Sequence, residues 1–388
     1  MLRPEVFSAP SLADGCAGAA LFFASLARLR PEHDERYAGI ALDFLERSID
    51  ALAAGKVRNA SLYGGFTGIA WAAEQCRAIA SDDEDPNSDI DDVLIDTVAQ
   101  RPWRAHYDLI SGLTGLSLYA LERRNAALLT EIVDRLSETA DVTPDGTAWF
   151  TENFLLNPTQ RARFPNGYYN LGLSHGVPAV IVVLAQACAA GIAVDKARPL
   201  LDGAVRWLLS KENRRRNGGG TFPSVVLRGS DEDTGPTRVS WCYGDLGISL
   251  ALLWAARSVG EPEWEEHALR LARQTAMRPN ADDGIMDAGL CHGAAGNAHL
   301  FNRLYQATRE PLFLDAARQW FARTLAFRQE KNRGVGGFQA WHVDRGWDDT
   351  PGLLEGSVGI GLALLAATGT VTPDWDRMLL VSVPPRES

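Results

Sequence analysis

This amino-acid sequence predicts an all-α fold, an α/α toroid of about seven inner and about seven outer helices with short strand-containing insertions. Two observations predict it. Gly-x-x-Gly, or a close variant, recurs seven times, led by Gly15, Gly65, Gly112, Gly176, Gly244, Gly293 and Gly356, and an apolar run of helix length follows each. Between these runs lie amphipathic segments of helical period, so the repeating unit is a helical hairpin. Runs that are apolar nearly all round need burial on every side, whereas the amphipathic segments keep one wet face. A closed ring satisfies both. An open array would need polar capping repeats, which the stretches at Gly15 and Gly356 do not offer.

The first inner helix follows Gly15. Its apolar stretch from Ala17 to Ala27 has the look of a signal-peptide core, but Arg3 is outweighed by Glu5 and Asp14, and the same glycine-led pattern returns downstream. Tyr37, Ala41, Phe44 and Leu45 share one helical face and mark the first outer helix. Gly65 and Gly112 begin the second and third inner helices. The rhythm then breaks from Val142 to Asn170, with Trp149, Phe150, Phe154 and Phe164, and again from Asn217 to Val239. Both stretches are expected to be long loops with some strand, near the mouth of the ring. Gly176 leads the fourth inner helix. Ile248 to Ala256 in the fifth and Gly361 to Ala367 in the seventh are apolar nearly all round. The outer helix before the seventh carries Phe313, Ala316, Ala317, Trp320, Phe321, Thr324 and Leu325 at helical spacing. The last outer helix, near Trp375 to Leu380, is short. Glycine at each start allows close backbone approach or a positive φ, so that inner helices begin crowded around one axis.

The chain has 388 residues, 46% hydrophobic and 22% charged, enough for a large core. A closed ring cannot be cut into independent halves, so residues 1–388 are expected to form a single domain, with insertions near 142–170 and 217–239. A net charge of -11 with dispersed basic residues leaves no footprint for a phosphate backbone and excludes nucleic acid as a partner. The one basic run, Arg214 to Arg216 beside Asn217 and Gly218 to Gly220, reads as a solvated loop or as a contact for a peptide. Cys16, Cys76, Cys188, Cys242 and Cys291 are few and odd in number, which points to a reducing cytoplasm and away from a secreted disulfide framework. No run reaches the roughly 18 uninterrupted apolar residues of a membrane span.

In such a ring every inner helix starts at the same end, so side chains just before the leading glycines converge. His175, His292 and Glu355 stand immediately before a glycine; Cys242, in Trp-Cys-Tyr-Gly, and Cys291, in Cys-His-Gly, stand one residue earlier. Two readings fit. Cys242, Cys291 and His292 make a three-ligand zinc set with one position open, and His175 is a fourth ligand or a base or acid beside the metal. Alternatively both cysteines are packed small hydrophobes and both histidines satisfy turn backbone.

The blocks Trp241-Cys242-Tyr243-Gly244, Cys291-His292-Gly293, Leu171-Gly172-Leu173-Ser174-His175-Gly176 and Leu354-Glu355-Gly356 resemble the signature blocks of the lanthionine synthetase C (LanC-like) cyclases, in the same order and over nearly the whole chain. The resemblance implies zinc held by Cys242, Cys291 and His292, with His175 as the family's active-site histidine. It also implies that Asp108, in His106-Tyr107-Asp108, and Arg238, four residues before Cys242, match a family aspartate and arginine. Those two matches are shorter; read alone, Asp108 is a helix-entry cap and Arg238 a surface ion-pair partner.

The activity implied is Michael-type addition of cysteine thiols to dehydroalanine or dehydrobutyrine in a lanthipeptide precursor. His175 would act as general acid, Asp108 would orient it, and Arg238 or Tyr243 would hold the developing oxyanion. The implied partners are a dehydrated precursor with its leader and a separate dehydratase. The location is the cytoplasm, with a peptide exporter as the route to the membrane surface. Three rivals stand beside this reading. Some LanC-like proteins add glutathione to dehydroamino acids. A metal-free α/α-barrel glycosidase would need a carboxylate pair, for which Asp245 and Glu355 are the candidates. A non-catalytic scaffold of a peptide-modifying complex would only hold the precursor.

Overall fold

The computed structural model describes residues 7–80, 85–213, 220–230, 235, 237–278, 284–329 and 333–384. The basic run Arg214 to Arg216 lies outside these residues.

Seven helices follow the seven glycines. Numbered along the chain, they are α1 (Cys16–Leu29), α3 (Phe66–Cys76), α5 (Leu113–Glu122), α8 (Val177–Ala189), α10 (Asp245–Val259), α12 (Ala294–Thr308) and α14 (Ser357–Thr368). They are apolar and buried: in α10 every residue from Asp245 to Ala256 except Trp254 is buried. Alternating with them are α2 (Asp34–Ala53), α4 (Ser88–Ala99), α6 (Ala126–Glu138), α9 (Val194–Ser210), α11 (Pro262–Ala276) and α13 (Pro311–Ala326). These bury one stripe only, which in α11 is Ala268, Leu269, Leu271, Ala272 and Thr275. The last expected outer helix is a single 3-10 segment, Asp374–Leu379, bounded by Pro373 before it and by Leu380 at φ 60° after it.

The chain divides into two compact units, Met1–Asp92 with Ile285–Leu379, and Val93–Gly284 with Leu380–Ser388. In the first, α1 packs on α2, α3 and α14, and α12 packs on α13 and α14. In the second, α8 packs on α5, α9 and α10, with α6 against α5 and α11 against α10.

The first insertion contains a hairpin, β1 (Asp141–Thr143) with β2 (Gly146–Ala148), and two strands, β3 (Phe150–Thr151) and β4 (Tyr168–Asn170). Between β3 and β4 lies a short helix, α7 (Pro158–Arg163), started by Asn157, whose side chain accepts from Gln160 N, and by Pro158 at the first helical position. The second insertion supplies β5 (Val225–Val226), which completes an antiparallel sheet in the order β3-β4-β5. A further hairpin, β6 (Ala340–His342) with β7 (Gly346–Asp348), was not foreshadowed by hydrophobic alternation; it pairs Trp341 with Trp347 across the strands.

Close backbone approach explains the paired glycines. A Cβ on Gly65 would lie 2.2 Å from the carbonyl oxygen of Asn59, and one on Gly68 would lie 1.8 Å from that of Leu62. Each leading turn thus folds back on its own helix start, and Phe66 N donates to Asn59 O at 3.0 Å to hold it there. Gly244 has the additional demand of φ 105°.

Turn is also bonded to turn. In the first unit Cys291 N donates to Leu354 O (2.7 Å), Leu353 N to Ala13 O (2.6 Å) and Ala13 N to Tyr63 O (2.9 Å). In the second, Leu109 N donates to Ser174 O (3.2 Å) and Ser174 N to Cys242 O (3.5 Å). Within each unit, residues that precede successive inner helices therefore lie side by side, however far apart they are in sequence.

Candidate active site

The register of the turns decides which side chains meet. The Sγ atoms of Cys242 and Cys291 and a ring nitrogen of His292 all lie within 4.8 Å of one another. Cys242 is buried and the other two are half-buried. The turn of Cys242 is set by Ser240, whose hydroxyl donates to Tyr243 O (2.7 Å), accepts from Tyr243 N (3.3 Å) and lies 3.6 Å from the Cys242 sulfur. The turn of Cys291 and His292 is set by buried Asp287. Its Oδ1 accepts from Gly289 N (2.9 Å), its backbone carbonyl from Ala294 N (3.0 Å), and its Oδ2 from Trp341 N (2.9 Å), which ties the β6–β7 hairpin to this turn.

Two thiols and one imidazole form a donor set that could hold zinc. Among the other cysteines, burial lifts the thiols of Cys16 and Cys188 and pushes that of Cys76 up to about 12, which favours their protonated forms.

In the second unit, His175 Nδ1 lies 2.6 Å from Asp108 Oδ2, which leaves Nε2 as the ring nitrogen not taken up by the aspartate. Asp108 is 4% exposed, and its other oxygen accepts from Ser111 N at 2.8 Å. It therefore caps the turn into α5 with one oxygen and faces His175 with the other. Partial desolvation works against a charged imidazole at His175. The hydrogen bond and charge of Asp108, helped by Cys242, outweigh it and raise the pKa above the ordinary value. The Tyr243 ring sits 6.5 Å from the His175 ring, and its oxygen accepts from Asn170 Nδ2 at 2.9 Å. Burial, together with Tyr168, Cys242 and Asp108 around it, raises the Tyr243 pKa well above the ordinary phenol value and outweighs the opposing Asn170 hydrogen bond. Its hydroxyl stays protonated.

Arg238 contributes backbone to the same turn. A Cβ on Gly244 would lie 2.1 Å from the Arg238 carbonyl oxygen. Its side chain is exposed and makes no hydrogen bond or ion pair with another described residue. The carboxylate of Asp245 is fully used: it accepts from Thr221 N (2.7 Å), Thr221 Oγ1 (2.7 Å) and Phe222 N (3.0 Å), pinning the second insertion to the start of α10. That commitment argues against Asp245 as one of a glycosidase pair. Glu355 Oε2 lies 3.6 Å from His342 Nδ1.

Asn170, Ser240 and Asp287 escaped sequence reasoning. Asn170 and Asp287, like Asn59, stand six residues ahead of a leading glycine, and each accepts through its side chain from the backbone N two residues on. That offset is a signal readable from sequence.

Nisin cyclase has the same fold, superposing with a TM-score of 0.77 at 19% identity over 97% of this chain and 93% of its own. The fold is thus an α/α toroid. Nisin biosynthesis protein NisC of Lactococcus lactis subsp. lactis is 22% identical over 80% of this chain and 78% of its own length. "Probable SapB synthase" of Streptomyces coelicolor is 47% identical over 21% of this chain, and "Glutathione S-transferase LANCL1" of Danio rerio 36% identical over 24%. The chain spans only 8% and 22%, respectively, of the length of those last two relatives. A family model described as lanthionine synthetase C-like protein matches residues 7–380, and the chain belongs to that family.

Proposed function

We propose that this protein is a zinc-dependent cyclase, which adds cysteine thiols to dehydroalanine or dehydrobutyrine in a dehydrated lanthipeptide precursor. The observation that carries this reading is the mutual approach, within 4.8 Å, of donor atoms from Cys242, Cys291 and His292. Membership of the family and the fold shared with nisin cyclase support it. Cys242, Cys291 and His292 would hold the ion. When bound, zinc supplies a Lewis acid that keeps a substrate thiol deprotonated at neutral pH.

The chain's own groups then manage charge and protons. A sulfur lone pair forms the bond to the β-carbon, the double-bond electrons move onto the carbonyl as an enolate, and the α-carbon takes up one proton. His175 delivers that proton from Nε2, since Nδ1 is committed to Asp108, whose charge favours the imidazolium. Tyr243, protonated, and Arg238 hold the oxyanion while it exists. The proton lost by the thiol equals the one gained at carbon, so ring closure leaves the mass unchanged.

The substrate requires a dehydratase acting earlier on a leader-bearing precursor, and a peptide exporter acting later would bring the protein to the membrane surface from the cytoplasm. No helix among the described residues is long and apolar enough to cross a membrane. A second reading, glutathione addition to dehydroamino acids, is favoured by the likeness to LANCL1, a protein named for glutathione transfer. Product mass separates the two, because glutathione capture adds the mass of glutathione.

The deciding measurement is metal content by inductively coupled plasma mass spectrometry of wild type beside Cys291→Ala. About one zinc per chain, lost in the variant, is expected for a three-ligand site. Wild-type protein that takes up no zinc on addition would overturn the reading.

A further inference from the structure

We propose that Asn170 is a positioning residue that aims the Tyr243 hydroxyl at the enolate oxygen; the role rests on the cyclase reading above. Asn170 ends β4 and is 1% exposed. Its Oδ1 accepts from Gly172 N at 2.8 Å. A backbone N–H only donates, so this contact fixes which end of the amide is oxygen and which is nitrogen. Nδ2 must then face Tyr243, and it donates to the phenol oxygen at 2.9 Å. A phenol that accepts from an amide N–H turns its own hydrogen away from that amide, because two donors cannot share one line.

The ring packs closely on a neighbouring backbone. A Cβ on Gly172 would lie 2.8 Å from the Tyr243 ring and 2.5 Å from the Cys242 carbonyl oxygen, so the ring rests directly on the Gly172 backbone. Asn170 itself is held by the sheet: it is in register with Val225 of β5, and Leu171 N donates to Ser224 O at 3.0 Å. The hydroxyl hydrogen of Tyr243 is thus turned away from Asn170, on a ring that lies 6.5 Å from that of His175 at 31°. The first insertion thereby acquires a task, since its final strand carries the amide that orients an oxyanion donor.

A double-mutant cycle tests this. The probe is a synthetic peptide with one dehydroalanine and one cysteine, followed by loss of free thiol at unchanged mass. Tyr243→Phe is expected to lower kcat by about 10²-fold, as for removal of one oxyanion donor. Asn170→Ala is expected to lower kcat by about tenfold with KM and zinc content unchanged, and to add nothing in the Tyr243→Phe background. Asn170→Asp, which keeps an acceptor for Gly172 N but draws the phenol hydrogen toward itself, should behave alike. In protein labelled with carbon-13 at tyrosine Cζ, the resonance missing from Tyr243→Phe should move in either Asn170 variant. Turnover with an unmoved resonance, or with equal losses in both backgrounds, overturns the role of Asn170 alone. A wild type that closes no thioether and binds no zinc overturns the cyclase reading and this role with it.

Discussion

His175 and His299 each face an aspartate, and their surroundings give the two pairs different work. The His175 side chain is 41% exposed, and Nδ1 meets Asp108 at 2.6 Å, so that Nε2 is the ring nitrogen the aspartate does not occupy. His299 and Asp376 are fully buried and meet at 2.9 Å; Arg303 shares the same carboxylate at 3.0 Å, and Trp375 stacks on the imidazole at 4.8 Å. The second pair is a clasp. With Tyr63 Oη donating to Met378 O (2.8 Å) and Arg28 pairing with Asp374 (3.4 Å), it fastens the 374–379 segment onto two helices and a turn of the first unit. An aspartate partner does not by itself make a histidine catalytic. What matters is whether the other ring nitrogen can reach a substrate, and that of His299 is sealed inside.

Changing one member of each pair should separate the two roles. His175→Asn is expected to lower thioether formation by about 10²- to 10⁴-fold with zinc content and urea midpoint unchanged. Wild-type rates in that variant would remove His175 from the mechanism. Asp376→Ala leaves a buried arginine without its partner, and a loss of about 3–5 kcal/mol of stability is expected from urea unfolding. The folded variant should keep its zinc. An unmoved midpoint would mean that the clasp contributes nothing.

The smallest effect concerns pH. The His175 pKa is raised by Asp108, so its proton-bearing form persists to higher pH than in a free imidazole, and any stability from the pair is lost as pH rises through that raised value. For a general acid the rate falls over the same range. Asp108→Asn removes the partner's charge, so the decline in rate should begin at lower pH. A pH–rate profile unshifted by that change would show that Asp108 does not tune the proton donor.

Much of this architecture was legible because its causes are local. Glycine at Gly65 and Gly68 answers to carbonyls six residues back, and the buried and amphipathic runs differ within single turns of helix. Less local features stayed hidden. The β6–β7 hairpin is only three residues a strand and hangs from Asp287, 54 residues from Trp341. The shortness of the last outer helix was legible; that it is a 3-10 segment held by a buried partner as distant as His299 was not.

By itself the sequence determined the helical period, the seven starts and the residue types that stand before them, since each depends on neighbours within a few residues. Tertiary structure alone decided which histidine keeps an accessible nitrogen, which oxygen of Asp108 caps and which one faces His175, and where the Asn170 amide points. Those outcomes rest on partners 67 to 77 residues apart, His175 with Asp108, Asn170 with Tyr243 and His299 with Asp376. No local rule links positions so distant; burial and turn-to-turn hydrogen bonding bring them together only once the chain has folded.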